Sequence, residues 1–195
     1  MPDDDVQNRP QKWRSLLQKY LPDLVYGAND GLVTTFAIVA GVAGASLSNT
    51  VVLILGFASL LADGFSMATS DYLSERTPTD IKDQRERGSA ARHGFATFVG
   101  FIVPGIVPLI AYLLPLAPSL QFPLAAVLTL LTLFAVGAGR GAVSRLPPWK
   151  AGGEMLLVGA LAAAVAYGVG MLGSVIASGG VMLAVDFALL PEVAG

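Results

Sequence analysis

The stretch L-L-A-D-G-F-S-M-A-T-S-D-Y-L-S-E-R, residues 60–76, carries two acids and a thioether at a spacing that has meaning on a helix. Asp63, Met67 and Asp71 recur every four residues, which stacks them on one helical face with a slow drift. Ser59 and Ser70 lie near the same stripe. Carboxylates, hydroxyls and a thioether in a row are the donor set of a cation site. Oxygen ligands alone suit Mg²⁺, Ca²⁺ or Mn²⁺, and a sulfur ligand tilts the preference toward softer first-row ions. A lone methionine is most often core filling, and Asp71 also reads as an acid at the rim of its helix. Asp63, near mid-helix and without a basic neighbour, has no such ordinary explanation.

A third acid, Asp30, sits in Y-G-A-N-D-G-L-V, and no charged residue follows it until Asp63. It reads as a rim acid favoured by the dipole at a helix N-terminus, or as an acid placed inside an apolar phase. The second choice costs about 2.5–3.5 kcal/mol on membrane-insertion scales, so such acids rarely persist without a use. Glu154, after K-A-G-G, fits either the dipole reading or a ligand at an entrance. Asp71, Glu154, Ser59 and Asn29 are the candidates for an entrance or proton path, and Asp30, Asp63 and Met67 for the metal ligands. His93, beside Arg92, reads as interfacial. Carboxylates without cationic partners bind cations or carry protons. An acid out of water holds its proton when empty and releases it when a cation arrives, which is the chemistry of cation–proton antiport.

The elements that must position these residues are membrane helices. Of 195 residues, 54% are hydrophobic and only 13% charged, and the mean hydropathy is +0.65, far from the quarter-charged composition of soluble domains. A span needs roughly 20 apolar residues. Five stretches qualify, at about 24–47, 51–74, 93–115, 121–143 and 151–173, joined by links as short as S-L-S-N and S-R-L-P-P-W-K. These predict an all-α integral membrane protein, a five-helix bundle over 23–173. A polar tail, 1–22, precedes it, and an apolar, glycine-broken tail, 174–195, follows. All 12 lysines and arginines precede the first span, lie between the second and third, or flank the turn between the fourth and fifth. Basic loops stay in the cytoplasm, so the N-terminus is expected inside and the C-terminus outside. The acidic, polar start is not a signal peptide.

Glycines recur within the spans, as in helices that pack closely. Pro104 and Pro108 in P-G-I-V-P each remove a backbone donor, which predicts a kink in the third span. Without cysteine and with one histidine, thiolate chemistry and multi-histidine metal centres are excluded. The charge distribution argues against nucleic acid, and no positioned nucleophile or acid–base pair suggests an enzyme. A non-transporting membrane subunit that assembles through its small-residue faces is the alternative, although such a subunit has no need to bury an unpaired acid.

D-L-V-Y-G-A-N-D-G-L-V-T-T-F-A-I-V-A-G-V-A-G-A, with L-L-A-D-G-F-S-M-A-T-S-D-Y-L-S-E-R-T, resembles the vacuolar iron transporter family of iron and manganese carriers. P-G-I-V-P-L-I-A-Y-L-L and the later spans fit in order and spacing, so the likeness covers roughly residues 20–173. It implies a five-helix homodimer that moves Fe²⁺ or Mn²⁺ out of the cytoplasm in exchange for protons, with no resident cofactor. The family's path lies between subunits; its key aspartate maps onto Asp30 and its second-helix methionine onto Met67. Where some members carry a glutamate two turns before that methionine, this chain has Ser59, with Asp63 one turn later. Strong iron handlers carry a long Glu- and Met-rich insert between the second and third spans. Here that linker is short, and Glu75, Asp80, Asp83 and Glu86 alternate with Arg76, Lys82, Arg85 and Arg87 as solvated ion pairs. The expected setting is a prokaryotic inner membrane.

Overall fold

The computed structural model describes the backbone of residues 9–76, 84–144 and 146–188. Every element among them is helical: α1 (Arg9–Gly44), α2 (Asn49–Arg76), α3 (Gln84–Gly105), α4 (Val107–Leu113), α5 (Pro118–Val143) and α6 (Pro148–Ala188). The ion pairs expected around Asp80, Lys82 and Asp83 lie outside the described residues, as do the ends of both tails.

Five stretches are long and apolar enough to cross a membrane: Lys19–Gly44, Asn49–Ser74, Ala90–Leu113, Pro118–Ala142 and Pro148–Gly179. The third is α3 and α4 together. Pro108 lacks the N–H that would bond the Pro104 carbonyl, so the helix breaks after Gly105 and restarts at Val107. Ile106 still donates to the Ile102 carbonyl at 3.0 Å, and Ile110 to that of Ile106 at 3.2 Å, which keeps the two pieces joined. At the other end of the sequence, the glycines that suggested a broken tail do not interrupt α6, which runs through them to Ala188.

The outside of the bundle is hydrophobic. Phe65, Val165, Val169 and Ile176 are each more than 60% exposed, an arrangement that is stable only in hydrocarbon. The inside is held by close helix approach. α1 runs through the middle and packs on every other element. A Cβ at Gly31 would stand 2.2 Å from the Phe101 carbonyl oxygen of α3, and one at Gly44 the same distance from that of Tyr167 on α6. Leu32, Phe36 and Val39 of α1 and Phe101 of α3 are almost fully buried around these contacts. At the turn between α1 and α2, Ser46 takes a positive φ of 55°. Asn49 and Gln121 are hydrogen-bonded through their amides, which fastens the start of α2 to that of α5.

Gly31→Ala forces backbone against backbone and is expected to cost about 1–3 kcal/mol. Gly168→Ala, where a Cβ meets nothing within 4 Å, is expected to stay within about 0.5 kcal/mol of the parent. Thermal melting of the two variants in one detergent checks this; equal midpoints would show that the α1–α3 approach is not close enough to matter.

Candidate metal path between the first two spans

The helical phase of α1 decides where its polar triplet goes. Successive residues turn by about 100°, so Asn29, Asp30 and Gly31 face three different neighbours. Gly31 meets α3. Asn29 lines a cavity bounded by α5 and α6. Asp30 lies within electrostatic range of Asp63 on α2 and accepts a hydrogen bond from Thr34, one turn along its own helix.

α1 begins at Arg9 and so extends back through polar residues beyond the apolar run of the first span. The electrostatic interaction of Asp30 with Asp63 puts the two carboxylates near one another on neighbouring helices. Asp63 accepts from the Ser59 hydroxyl at 2.5 Å. Among the described residues the ion pairs are those of Asp23 and Glu154, so neither Asp30 nor Asp63 has a basic partner. Both are half-buried.

Met67 is one turn further along α2 and partly buried against the main core cluster, which includes Phe36 and Phe101. Asp71, another turn on, accepts from Thr97 of α3 at 2.8 Å. A stripe at four-residue intervals drifts by about 40° per step, which carries Asp71 round to α3 and away from α1. Glu154 accepts from the Arg140 guanidinium at 2.9 Å. It lines the same cavity as Asn29 rather than the space between Asp30 and Asp63. Ser59, Asp63 and Asp30 are thus brought together, while Asp71, and Glu154 with Asn29, belong to other surroundings.

Several partners escaped the sequence. Thr34 could have been found from its four-residue spacing to Asp30. Thr97 and Arg140 could not, because they reach their acids across helices. His93 and Asp23 form a further cross-helix pair, Nδ1 to Oδ2 at 2.5 Å, with the Tyr20 ring 4.9 Å from the imidazole.

Among the described residues no group of three or more His, Cys, Asp or Glu side chains is arranged to hold a metal. Two carboxylates, a hydroxyl and a thioether are four groups, short of a six-coordinate shell. Beside them, Ala58, Ala62, Ser66 and Ser70 repeat every four residues along α2 and are exposed. Small residues in such a row are what a membrane helix offers to another helix.

The sequence profile of the VIT family matches residues 21–87 and 79–171. The chain is 32% identical to vacuolar iron transporter homolog 1 of Arabidopsis thaliana, over 77% of this chain and 81% of that protein. It is 27% identical to a vacuolar iron transporter of Toxoplasma gondii, over 78% of this chain and 74% of that one. Vacuolar iron transporter 1 of Eucalyptus grandis is 24% identical over 75% and 83%. The Toxoplasma alignment runs over 223 positions and the Arabidopsis alignment over 164, for nearly the same share of this chain.

Thr97 is 1% exposed, so Thr97→Val leaves the Asp71 carboxylate without its donor and is expected to cost about 1.5–3 kcal/mol, the worth of a hydrogen bond to a charged group. The double variant Thr97→Val with Asp71→Leu is expected to recover part of that loss. Unchanged melting of the single variant would show that Asp71 is satisfied by something other than Thr97.

Proposed function

The chain belongs to the VIT family, and on that premise we propose that it carries a divalent transition-metal ion, Fe²⁺ or Mn²⁺, out of the cytoplasm in exchange for protons. The single observation behind this reading is the pair Asp30 and Asp63: two acids close enough to interact, on neighbouring helices, with no ion-paired basic partner among the described residues. Two negative charges in hydrocarbon need compensation. Protons supply it in one state and a divalent cation in the other, so movement of metal one way returns protons the other way. An assembly subunit would have no reason to keep such a pair.

Asp30 and Asp63 act as the oxygen ligands, and Met67 supplies the sulfur that favours iron or manganese over magnesium. Since one protomer holds only part of a coordination shell, a second copy completes it. The exposed Ala58–Ala62–Ser66–Ser70 stripe of α2 is the surface on which the homodimer forms, placing two Asp63 and two Met67 around one path. The metal enters from the side that carries the basic residues, which the distribution of lysine and arginine puts in the cytoplasm. The membrane crossed is a prokaryotic inner membrane. The longer Toxoplasma alignment over an equal share of this chain supports a short form without the metal-collecting insert.

In proteoliposomes, Asp30→Asn and Asp63→Asn are each expected to lower metal-driven proton flux about tenfold or more, the loss of roughly 1.4 kcal/mol or more of ion stabilisation, with melting unchanged. Parent-like flux in both variants would remove the acids from the path. Running Fe²⁺, Mn²⁺, Co²⁺ and Zn²⁺ through the same assay identifies the cargo.

A further inference from the structure

α1 and α6 clasp tightly at one end, where a Cβ on Gly170 would stand 2.0 Å from the Gly41 carbonyl oxygen. Toward the end that carries the basic residues they part, and α5 lies behind the gap. The space left is a cavity of about 530 Å³, lined by Tyr26 and Asn29 of α1, Arg140 and Ser144 of α5, and Glu154 and Val158 of α6. A second hollow of about 320 Å³ shares Leu21, Val25 and Arg140 with it and continues between α1, α3 and α5 past Val99, Val103 and Val136. Both volumes are in the range of ligand sites. Apart from Arg140 the second lining carries no polar side chain, and Val103 and Val158 at the two rims are 63% and 52% exposed on the lipid-facing surface. The pair of hollows is a chamber with a few polar groups on a mostly apolar wall and a groove leading into the bilayer, and Arg140 stands at the junction.

The chamber holds one charge of each sign. The Arg140 terminal nitrogen bonds Glu154 at 2.9 Å, and about a third of the Arg140 side chain stays accessible, so its outer N–H groups are open to a ligand. The Glu154 side chain is 69% exposed and uses one oxygen on Arg140. A purely anionic ligand would gain Arg140 and be repelled by Glu154, and a purely cationic one the reverse. A zwitterion whose anionic and ammonium groups lie a few atoms apart matches both. Trp149, with the Lys150 ammonium 5.3 Å from its ring centre, stands at the same end of α6, and tryptophan beside lysine marks the headgroup level of a bilayer.

We propose that this chamber and groove bind an amine-bearing glycerophospholipid, of which phosphatidylethanolamine is the simplest. Its phosphate accepts from the outer Arg140 N–H groups that Glu154 leaves free, its ammonium donates to Glu154 and the Asn29 side-chain carbonyl, and one acyl chain lies in the groove past Val99, Val103 and Val136. The lipid wedges α1 apart from α6 beside Asn29, one residue from Asp30. The site is independent of the transport reading, since it is measured by lipid retention alone.

The test uses the full chain in detergent, with native mass spectrometry and melting after addition of phosphatidylethanolamine, phosphatidylcholine or phosphatidylglycerol of identical acyl chains. Soluble phosphoethanolamine and inorganic phosphate serve as headgroup-only arms. The parent is expected to retain phosphatidylethanolamine about tenfold better than the other two lipids, the worth of one hydrogen bond to a charged group, and to ignore both soluble arms. Glu154→Gln is expected to keep phospholipid but lose the preference among headgroups; Arg140→Gln is expected to lose retention of all three. Val103→Trp, which fills the groove and leaves the charges alone, reproduces the Arg140→Gln loss and serves where that variant does not fold. Equal retention of the three lipids by the parent, or an unchanged preference in Glu154→Gln, overturns the proposal. So does binding of phosphoethanolamine or phosphate as tight as the lipid, which would make the chamber a soluble-anion site. Cross-linking between copies of a Val158→Cys variant in bilayers also overturns it, because a second copy would then cover the chamber.

Discussion

Three consecutive residues of α1 point at three different neighbours, and the rest of the structure is arranged around that fact. Gly31 lets α3 approach until the Phe101 carbonyl touches the α1 backbone. With that face pinned, the helical turn of about 100° per residue leaves Asp30 no choice but the α2 side and Asn29 no choice but the gap toward α5 and α6. Rotating α1 by one residue would send the acid into the α3 backbone. A helix with ordinary side chains at the contact would stand several ångströms farther off and could roll. The glycine contact therefore sets the aim of the aspartate as well as the packing, and the triplet N-D-G is a single geometric device.

α2 shows the converse, a stripe whose members are separated by drift. Asp63, Met67 and Asp71 are four residues apart, and four residues overshoot a full turn by about 40°. Over two steps the direction swings from the Asp30 side to Thr97 on α3. Acids that look equivalent in sequence are thus in different company. The break between α3 and α4 belongs to the same packing problem. Gly105, the last residue before it, lies against the Gly31 carbonyl, so the helix ends one turn beyond its closest approach to α1 at Phe101.

The five spans, their tight links and the one-sided distribution of basic residues were legible because each depends on local composition and length. The stripe on α2 was legible because periodicity within one helix needs no partner. The length of the first helix was not, since α1 continues through polar residues that hydropathy assigns to a tail. Nor were Arg140 with Glu154 and His93 with Asp23, because the members of each pair sit on different helices and no pattern along one helix links them. α6 also runs on through glycines that would weaken it in water. In hydrocarbon an open helix end leaves backbone groups without partners, at several kcal/mol each, so the helix persists where propensity would end it.

The acids sort by what they are bonded to. Asp23 is held by His93, Asp71 by Thr97 and Glu154 by Arg140, each partner standing on another helix. Breaking the Asp23 or Asp71 bond strips a buried or half-buried group on each side and loosens two elements at once, whereas Glu154 is exposed. Among the described residues Asp30 and Asp63 are held by hydroxyls of their own helices, Thr34 and Ser59. A hydroxyl one turn away can rotate from carboxylate to backbone carbonyl without moving either helix, as Thr69 and Thr129 do on the carbonyls four residues before them. Those two carboxylates are the ones that can exchange a hydrogen bond for a cation while the bundle stays closed. A half-buried acid fastened across helices, as Asp23 and Asp71 are, is structural by its energetics, whereas one satisfied by its own helix remains free to take on a ligand.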